Sequence, residues 1–475
     1  MIRPRVAVVG GGLAGMAAAA ALCDAPCDVH LFEARRKLGG RATSFRDPAT
    51  GGLVDFCQHV SMGCCTNLAD FCRRAGITEH FSRERTLHFV GTDGRIAPLA
   101  ASRWLPAPLH LGPAFLRLPF LSLGDRLRIV RGLWALARTT GNGRHEPTIA
   151  AWLSEHGQTS RGMEQFWSVV LVSALGETLV RSSLSAARKV FVDGFMSNRS
   201  GYEVLIPKLP LSDLFGERVS RWLQTRGVKL RTACRAENVE RASPGGFQIR
   251  SEGAAETFDF AILATTWRQL RPLLAPVLVA ALPWLDAVER FESSPITGVH
   301  MWFDREITAL PHAVLVGRLG QWLFNRGKQT DGAGRELHAY QVVMSAVRDL
   351  AGRNRDRLIQ HIREELEAVW PITRQAALVA SKVVTEQHAV FCASPGLDCV
   401  RPKQATLAPG LFVAGDWTAT GWPATMEGAV RSGYLAAEGV LESLGQPGRV
   451  LVNDLPISRL ARCFLRPAGP QPHCL

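Results

Sequence analysis

The 475-residue sequence lacks any run of about 18 consecutive apolar residues, the length that a membrane-spanning helix needs. Its eleven cysteines are scattered and none forms a Cys-x-x-Cys pair, so neither a zinc site nor a disulfide framework is predicted. Internal repeats and low-complexity tracts are also absent. We therefore expect a globular protein of the reducing cytoplasm, without a metal ion.

Acidic residues are few relative to basic ones: 42 Asp and Glu stand against 55 Lys and Arg, a formal net charge of +13. Such a balance suits nucleic acid, an anionic membrane or a phosphorylated substrate. The sequence contains no recognisable nucleic-acid-binding module, so we expect no nucleic acid and favour a membrane surface. Hydrophobic residues make up 47% and charged residues 20%, which is ordinary for a globular protein of this length with two domains.

What the sequence does contain begins with a strand–turn–helix pattern. The pattern runs through an apolar strand (5–9), a glycine turn (Gly10, Gly12 and Gly15), an alanine-rich helix (16–22) and a second strand (28–32). Gly12 lets the backbone approach a pyrophosphate, and the helix N-terminus favours its negative charge. Glu33, directly after the second strand, can accept hydrogen bonds from an adenosine ribose. The pattern predicts a Rossmann-type dinucleotide-binding unit.

Two further motifs separate FAD from NAD. A second glycine turn, Gly39-Gly40-Arg41, suits a cofactor that stays bound and has its pyrophosphate enclosed from both sides. Near the other end of the chain a strand ends at Gly415-Asp416, and a helix begins near Met426. The N-terminus of that helix would stabilise negative charge at the flavin N1 and C2 carbonyl. This arrangement resembles the GG-doublet flavoproteins, the superfamily of amine oxidases and carotenoid desaturases.

The amino-acid sequences of two segments point to one family within this superfamily. Asp55-Phe56-Cys57-Gln58-His59 and residues 422–433 are similar to the hydroxysqualene dehydroxylases, also called squalene-associated FAD-dependent desaturases. Those proteins usually have the sequence Asp-Asn-Gly-Gln-His at this place, so this chain differs from them in having Phe56 and Cys57 instead of Asn and Gly. The resemblance implies an α/β fold with a Rossmann-type FAD-binding domain and an interleaved α+β substrate domain.

The resemblance also implies the cofactor contacts, with backbone groups of Val239 clamping the adenine. The expected FAD-binding residues are Gly10, Gly12, Leu13, Ala14, Gly15, Glu33, Ala34, Gly40, Arg41, Ala42, Gln58, His59, Val239, Gly415, Asp416, Ala424, Thr425 and Met426.

Enzymes of this family are implied to remove the hydroxyl of hydroxysqualene reductively, giving squalene for hopanoid or sterol-type triterpenoids. Because the hydroxyl is allylic, protonation and loss of water leave a delocalised cation that a flavin hydride can quench in a dry pocket. His59 is the first candidate for the proton donor, Asp55 the second, Glu427 the third and His300 a distant fourth. A structural hydrogen bond is the competing interpretation of His59.

Three other functions remain open. A carotenoid or isoprenoid desaturase would use the same fold and cofactor but remove hydride from its substrate. An amine oxidase commonly has Tyr where this chain has Thr425, and the sequence has only three tyrosines. A prenyl-lipid escort protein would bind without catalysis, but is expected to lose the flavin contacts that remain here. The resemblance specifies neither the electron donor nor the oligomeric state.

Residues 99–138 are rich in leucine, phenylalanine and tryptophan interleaved with arginines such as Arg103, Arg117 and Arg131. This composition is typical of a segment that dips into a membrane interface, and equally of the wall of an apolar substrate tunnel. The first interpretation predicts peripheral association with the inner face of the cytoplasmic membrane. The domain boundaries expected from the motifs are 1–98, 203–275 and 385–445 for FAD binding, 99–202 and 276–384 for substrate or membrane, and 446–475 for a C-terminal tail.

Overall fold

A parallel sheet built from distant segments of the chain carries the N-terminal motif. The computed structural model describes residues 3–48, 50–140, 143–243, 245–349 and 354–466. The strands of this sheet lie in the order β10 (Lys229–Thr232), β2 (Asp28–Glu33), β1 (Arg5–Val9), β14 (Phe260–Leu263) and β20 (Leu411–Val413). Every neighbouring pair is parallel. The carboxyl ends of its strands therefore meet at one edge, where such sheets bind ligands.

Helices pack against the sheets and cover the substrate half of the molecule. In chain order they are α1 (Leu13–Leu22), α2 (Thr66–Arg74), α3 (Gly112–Phe115), α4 (Leu123–Arg138), α5 (Ile149–Glu155), α6 (Ser160–Gly162), α7 (Ser168–Leu175), α8 (Leu184–Arg188), α9 (Ser220–Thr225), α10 (Leu270–Leu273), α11 (Pro276–Ala280), α12 (Leu285–Glu289), α13 (Arg355–Val369), α14 (Met426–Ser443) and α15 (Arg459–Phe464). Turns with π-helical hydrogen bonding, at Met163–Trp167, Lys189–Met196 and Ser212–Val219, extend α6, α8 and α9. Among the described residues, no helix is both long and apolar enough to cross a membrane.

A larger mixed sheet forms the floor of the second domain. Its strands lie in the order β19 (Leu378–Phe391), β15 (Ser293–Phe303), β18 (Glu336–Ser345), β17 (Trp322–Thr330), β16 (His312–Leu315), β7 (Thr86–Val90) and β8 (Ile96–Ala100). β7 and β8 form a hairpin, and β7 also pairs with β16, so the hairpin joins this sheet. The expected boundary at residue 98 therefore falls inside a hairpin of the second sheet, and the sequence alone does not indicate which sheet a hairpin joins. The boundary at 385 likewise falls inside β19.

Smaller sheets complete the fold. One has β11 (Ala236–Arg241), β12 (Phe247–Ser251) and β13 (Ala254–Phe258); the others have β3 (Ser44–Arg46) with β4 (Leu53–Asp55), and β5 (Ser61–Met62) and β6 (Phe81–Glu84) on either side of β9 (Val204–Pro207). Asp259 separates β13 from β14. Asp259 accepts the Arg5 N–H at 2.7 Å and donates its own N–H to the Arg5 carbonyl at 2.9 Å. This exchange turns the chain from the antiparallel β13 into the parallel β14.

The C-terminal segment packs on the domains rather than extending from the surface. The Ser458 hydroxyl donates to the Ala107 carbonyl at 2.6 Å, and the Phe464 ring meets Trp134 of α4 edge-on at 5.2 Å. Val450 and Leu451 pack against the core near α14. Residues 446–466 of the expected C-terminal tail thus lie along the surface, most of them exposed, with contacts to α4 and to the core near α14; residues 467–475 lie outside the described part of the chain.

The two helices that flank the glycine turn approach each other through Gly433 of α14. A Cβ atom there would lie 2.2 Å from the Ala14 carbonyl oxygen of α1 and 2.9 Å from the Ala17 Cβ. We expect Gly433→Ala to lower the free energy of unfolding by about 1–3 kcal/mol, although alanine favours helix, because the helices must separate. Urea unfolding of the holoprotein measures this.

Gly124→Ala is the matched control. Gly124 also lies in a helix, α4, and the nearest atom to a Cβ there is the flexible end of the exposed Arg128 side chain, at 3.2 Å. That change should leave stability within about 0.5 kcal/mol or raise it slightly. Equal unfolding curves for both variants would contradict the proposed close contact.

Candidate active site

Two glycine turns face each other at the N-terminus of α1. Gly12 forms a β-bridge with Gly39, and the Gly39 N–H donates to the Gly11 carbonyl at 2.8 Å. A Cβ on Gly12 would meet nothing nearer than the Gly40 Cα at 4.0 Å, so open space borders this backbone. Within the described residues, the start of α1 has no side-chain cap and no acidic residue. Its free N–H groups and positive dipole therefore suit a pyrophosphate, as predicted.

The first turn is tight enough to demand glycine. Gly10 has a φ of +112°, and a Cβ there would lie 2.5 Å from the Ala264 carbonyl oxygen. A Cβ on Gly15 would lie 1.9 Å from the Gly10 carbonyl oxygen. Leu13 and Ala14, the predicted contacts between these glycines, begin α1 and are buried.

Glu33 ends β2 beside this turn. Its carboxylate accepts the N–H groups of Gly11 and Arg35, both at 2.8 Å, and the side chain is half-buried. These bonds fix the direction of the carboxylate and leave lone pairs for ribose hydroxyls. Ala34, the next predicted contact, is exposed at the same edge.

The structure does not support Val239 as the adenine contact. Val239 lies within β11, is fully buried, and its carbonyl accepts the Ala275 N–H at 3.0 Å. The chain that reaches Glu33 is instead the segment after β10, where Cys234 donates its N–H to the Glu33 carbonyl at 3.0 Å and Ala233 has a φ of +57°. Residues 233–236 are therefore better placed to border an adenine. The predicted and observed positions of Val239 differ because the pairing and register of the strands place it, and the sequence alone does not give that register.

A buried ion pair links the second glycine turn to the C-terminal motif. The Arg41 guanidinium donates to the Asp416 carboxylate at 2.7 Å and to the Ala389 carbonyl at 2.8 Å. Asp416 is 4% exposed, and the preceding Gly415 has no room for a side chain because a Cβ would strike the Trp417 indole at 2.2 Å. Two motifs 375 residues apart thus form one wall.

Arg401 supports this wall and was not identified from the sequence. Its guanidinium donates to the carbonyls of Asp416 at 2.8 Å and Thr418 at 2.5 Å, and it is 4% exposed. Arg401 therefore fixes the loop after β20. An arginine in a Pro-containing loop carries no local signal for this role.

The N-terminus of α14 closes the same region. The Thr425 hydroxyl accepts the Gly428 N–H at 3.0 Å and so caps the helix. Ala424 precedes the cap, and Met426 begins the helix, as predicted. As at any helix start, the first N–H groups of α14 lack acceptors within the helix, and their partial positive charge favours an anionic ligand group.

Glu427 has a structural role that does not suit a proton donor. Its carboxylate accepts the Asn67 N–H at 3.1 Å, the Asn67 side-chain amide at 3.0 Å and the Leu68 N–H at 2.7 Å. Burial raises the pKa of Glu427, but these donors and Arg431 oppose the rise. The side chain caps α2 and fastens it to α14, so the catalytic prediction for Glu427 is not supported.

Asp55 is also held by the protein. Its carboxylate accepts the Ser44 hydroxyl at 2.6 Å and the Leu211 N–H at 2.9 Å, and pairs with Arg326 at 3.2 Å. Arg326 donates to the Gln58 side-chain oxygen at 3.2 Å as well. Asp55 therefore orients the segment 55–59 and is not a free acid. Arg326 lies on β17, and nothing in the sequence pairs it with Asp55.

His59, the first predicted donor, keeps a free ring nitrogen. Its Nδ1–H donates to the Cys57 carbonyl at 3.0 Å, while Nε2 has no hydrogen-bond partner among the described residues. Burial lowers the pKa of His59, and nearby Arg41 lowers it further, whereas the Cys57 carbonyl and Asp55 oppose this. The lowered pKa favours the neutral ring, in which Nε2 accepts a proton, and the protonated ring can then deliver that proton from Nε2.

His300 lies behind this segment. Its Nε2–H donates to the Asp55 carbonyl at 3.1 Å, and burial lowers its pKa to about 4. The structure thus brings His300 close to Asp55 but gives it a neutral, structural hydrogen bond. Of the four predicted donors, His59 and His300 each keep a ring nitrogen without a hydrogen-bond partner in the described structure, and His59 is the less buried of the two.

These features fit FAD: an uncapped helix start beside an open glycine cradle, an acid for the ribose, and a second helix start beside Arg41 and Asp416. The profile of the family Flavin containing amine oxidoreductase matches residues 13–441. The hydroxysqualene dehydroxylase of Sinorhizobium fredii is 27% identical over 91% of this chain and 97% of that protein. The zeta-carotene desaturase of Synechocystis sp. is 24% identical over 92% of this chain and 97% of that protein.

Cyclohexylamine oxidase from Brevibacterium oxydans IH-35A shares the fold, with a TM-score of 0.69 at 16% identity over 94% of this chain and all of that chain. The predicted α/β flavoprotein fold, the FAD cofactor and the resemblance to hydroxysqualene dehydroxylases are confirmed. The chain belongs to the flavin containing amine oxidoreductase family and is an FAD-dependent oxidoreductase.

Proposed function

We propose that the protein removes the hydroxyl group of hydroxysqualene reductively and releases squalene and water. The similarity to hydroxysqualene dehydroxylase along nearly the whole chain supports this substrate. The observation that carries the chemistry is the unpaired Nε2 of His59, beside the Arg41–Asp416 wall that borders the FAD cradle. Reduced FAD, when bound, supplies the hydride.

The protein itself must supply a proton and keep water out. Loss of hydroxide from an allylic carbon needs a proton on the departing oxygen, and His59 can hold one at Nε2. Asp55 and Glu427 accept hydrogen bonds from neighbouring backbone and side-chain groups, which favours His59 for this step. An aromatic-rich core between the large sheet and residues 112–196, with Phe115, Phe166 and Phe324, provides the apolar surroundings that an isoprenoid requires.

Desaturation is the second candidate function. The zeta-carotene desaturase similarity covers as much of the chain as the dehydroxylase similarity. A desaturase transfers hydride from lipid to flavin, which is the reverse of dehydroxylation. The two functions therefore predict opposite redox changes of the same bound cofactor.

We further propose that α4 lies on an anionic lipid surface. Leu123, Leu127, Val130 and Trp134, called here the α4 patch, recur at helical spacing and are exposed, Leu123 to 73% and Leu127 to 64%. Ile129 and Leu136 on the opposite face are buried, which fixes the orientation of the helix.

The charges around the α4 patch match a bilayer of anionic lipids. Five arginines of the segment 99–138 are exposed: Arg103, Arg117, Arg128, Arg131 and Arg138. Asp125 is the single acidic residue of that segment and is buried in a capping box with Ser122. Exposed apolar side chains with flanking cations favour insertion into the interface, where each arginine contributes about 1 kcal/mol. Residues 99–138 are compatible both with a membrane-interface segment and with the wall of a substrate tunnel. The α4 patch is exposed, as the first requires, and residues such as Phe115 are buried, as the second requires.

The direction of hydride transfer between flavin and lipid distinguishes dehydroxylation from desaturation. Anaerobic protein reduced with dithionite and mixed with hydroxysqualene in detergent should form squalene in step with flavin reoxidation. Flavin absorbance and lipid analysis measure the two products together. Reduced flavin that persists beside untouched hydroxysqualene, with oxidised protein that consumes carotenoid precursors, would establish the desaturase instead.

His59→Gln keeps a donor toward the Cys57 carbonyl but removes the titratable nitrogen. We expect turnover of hydroxysqualene to fall by about 100-fold or more, with flavin content unchanged. Because the protonated ring is the donor and its pKa is lowered, wild-type turnover should rise as the pH falls below the ordinary range of histidine. His361→Gln, on the exposed face of α13, is the control. Equal turnover of His59→Gln and wild type would exclude this donor.

Membrane binding can be tested on the α4 patch. The double variant Leu123→Gln and Leu127→Gln should bind vesicles containing phosphatidylglycerol about tenfold or more weakly, since burial of one leucine contributes about 1.5–3 kcal/mol. Vesicle flotation gives the bound fraction. Leu407→Gln, which changes a leucine that is 74% exposed in the loop before β20, should bind like wild type. Undiminished binding of the double variant would rule out the patch.

A further inference from the structure

A small polar chamber lies behind the segment 55–59. Its volume is about 70 Å³, and its walls come from β4, β15, β17 and β18. The polar lining includes Asp55, His300, Arg326 and Gln341, with the exposed Lys208 toward solvent. A space of this size has room for several water molecules.

Gln341 is the unexplained group in this chamber. It is fully buried, and neither its side-chain oxygen nor its side-chain nitrogen has a hydrogen-bond partner among the described residues. It lies directly opposite His300 in the β15–β18 pair, and its nitrogen is 3.0 Å from where a Cβ on Gly298 would lie. A buried carboxamide offers two donors and an acceptor, and leaving them all unpaired is unfavourable.

Neighbouring polar groups of the chamber already have protein partners. The Gln329 oxygen accepts the Trp302 indole N–H at 2.9 Å, and the Tyr340 hydroxyl donates to the Thr308 carbonyl at 3.0 Å. Gln329 and Tyr340 therefore already use these groups in other hydrogen bonds, whereas the side chain of Gln341 has no partner among the described residues. The space in front of it is the remaining source of partners.

The chamber shares a wall with the candidate active site. Arg326 lines the chamber and donates to both Asp55 and Gln58 at 3.2 Å. A guanidinium has five N–H groups, so donors remain beyond these bonds and the one to the Pro207 carbonyl. Gln58 is followed by His59, so the position of Arg326 bears directly on the candidate proton donor.

We propose that this chamber binds a small cluster of ordered water that joins Gln341 to the Arg326 guanidinium. Gln341 is then a positioning residue: its water holds Arg326 against Asp55 and Gln58, and so fixes the segment that carries His59. The kinetic part of this inference rests on the proposed dehydroxylation, whereas the water site itself does not.

Gln341→Leu tests the water site without any assay of turnover. Replacing an unpartnered amide in a dry cavity by an apolar side chain raises thermal stability, whereas removing the anchor of bound water lowers it. We expect a lower Tm for Gln341→Leu. Ser294→Ala removes another unpartnered buried oxygen of β15 outside the chamber lining and should leave the Tm unchanged or raise it. A high-resolution crystal structure of the holoprotein should show water within hydrogen-bond distance of both Gln341 atoms.

The positioning role has its own readout. In Gln341→Leu we expect kcat for hydroxysqualene to fall about fivefold or more with KM little changed, and the pH profile of kcat to shift, because the surroundings of His59 change. Ser294→Ala should show neither effect. A dry cavity together with a raised Tm for Gln341→Leu would overturn the water site, and an unchanged pH profile would overturn the positioning role. Failure of wild type to turn over hydroxysqualene would refute the proposed function but not the water site.

Discussion

The fold depends on backbone segments that touch without side chains between them. Gly15 lies against the Gly10 carbonyl, Gly12 faces Gly40, and Gly433 brings α14 against Ala14 of α1. A Cβ atom at Gly15, Gly40 or Gly433 would lie 3.0 Å or less from the backbone atom that it faces. The result is a cradle whose walls are peptide groups, so that N–H groups and helix dipoles, rather than flexible side chains, meet the phosphates of the cofactor.

Charged side chains connect the chain segments that surround this cradle. Arg41 pairs with Asp416 across the cradle, Arg401 holds the loop that carries Asp416, and Arg326 holds Asp55 and Gln58. Arg41 and Arg326 bind acceptors from segments distant in sequence, whereas Arg401 binds the neighbouring loop after β20. Breaking one partner of such a buried set leaves an uncompensated charge, so these pairs fix the geometry more than they stabilise the fold. The orientation of His59 is a consequence of this arrangement.

The parts of the site that sequence predicts are those encoded locally. The glycine turns, Glu33 after β2 and the start of α14 depend on neighbours within a few residues, and the structure has them where patterning indicates. Val239 and Glu427 were assigned through the resemblance, yet strand register and the capping of α2 give them other partners. Arg326, Arg401 and the segment after β10 reach the site only through tertiary contacts, which no periodicity reports. The hairpin at 86–100 is a further example, because its pairing with β16 is a contact between segments distant in sequence.

The parallel sheet takes its strands from three widely separated parts of the chain, and its last strand, β20, begins at residue 411 of 475. Asp416 and α14 follow it. Synthesis proceeds from the N-terminus, so a growing chain displays the glycine turn and Glu33 long before the opposite wall exists. The cofactor can be enclosed only when the chain through α14 has left the ribosome. Flavin capture is therefore a late event in the life of the nascent chain, and a truncated product that lacks β20 and α14 would carry an open half-site.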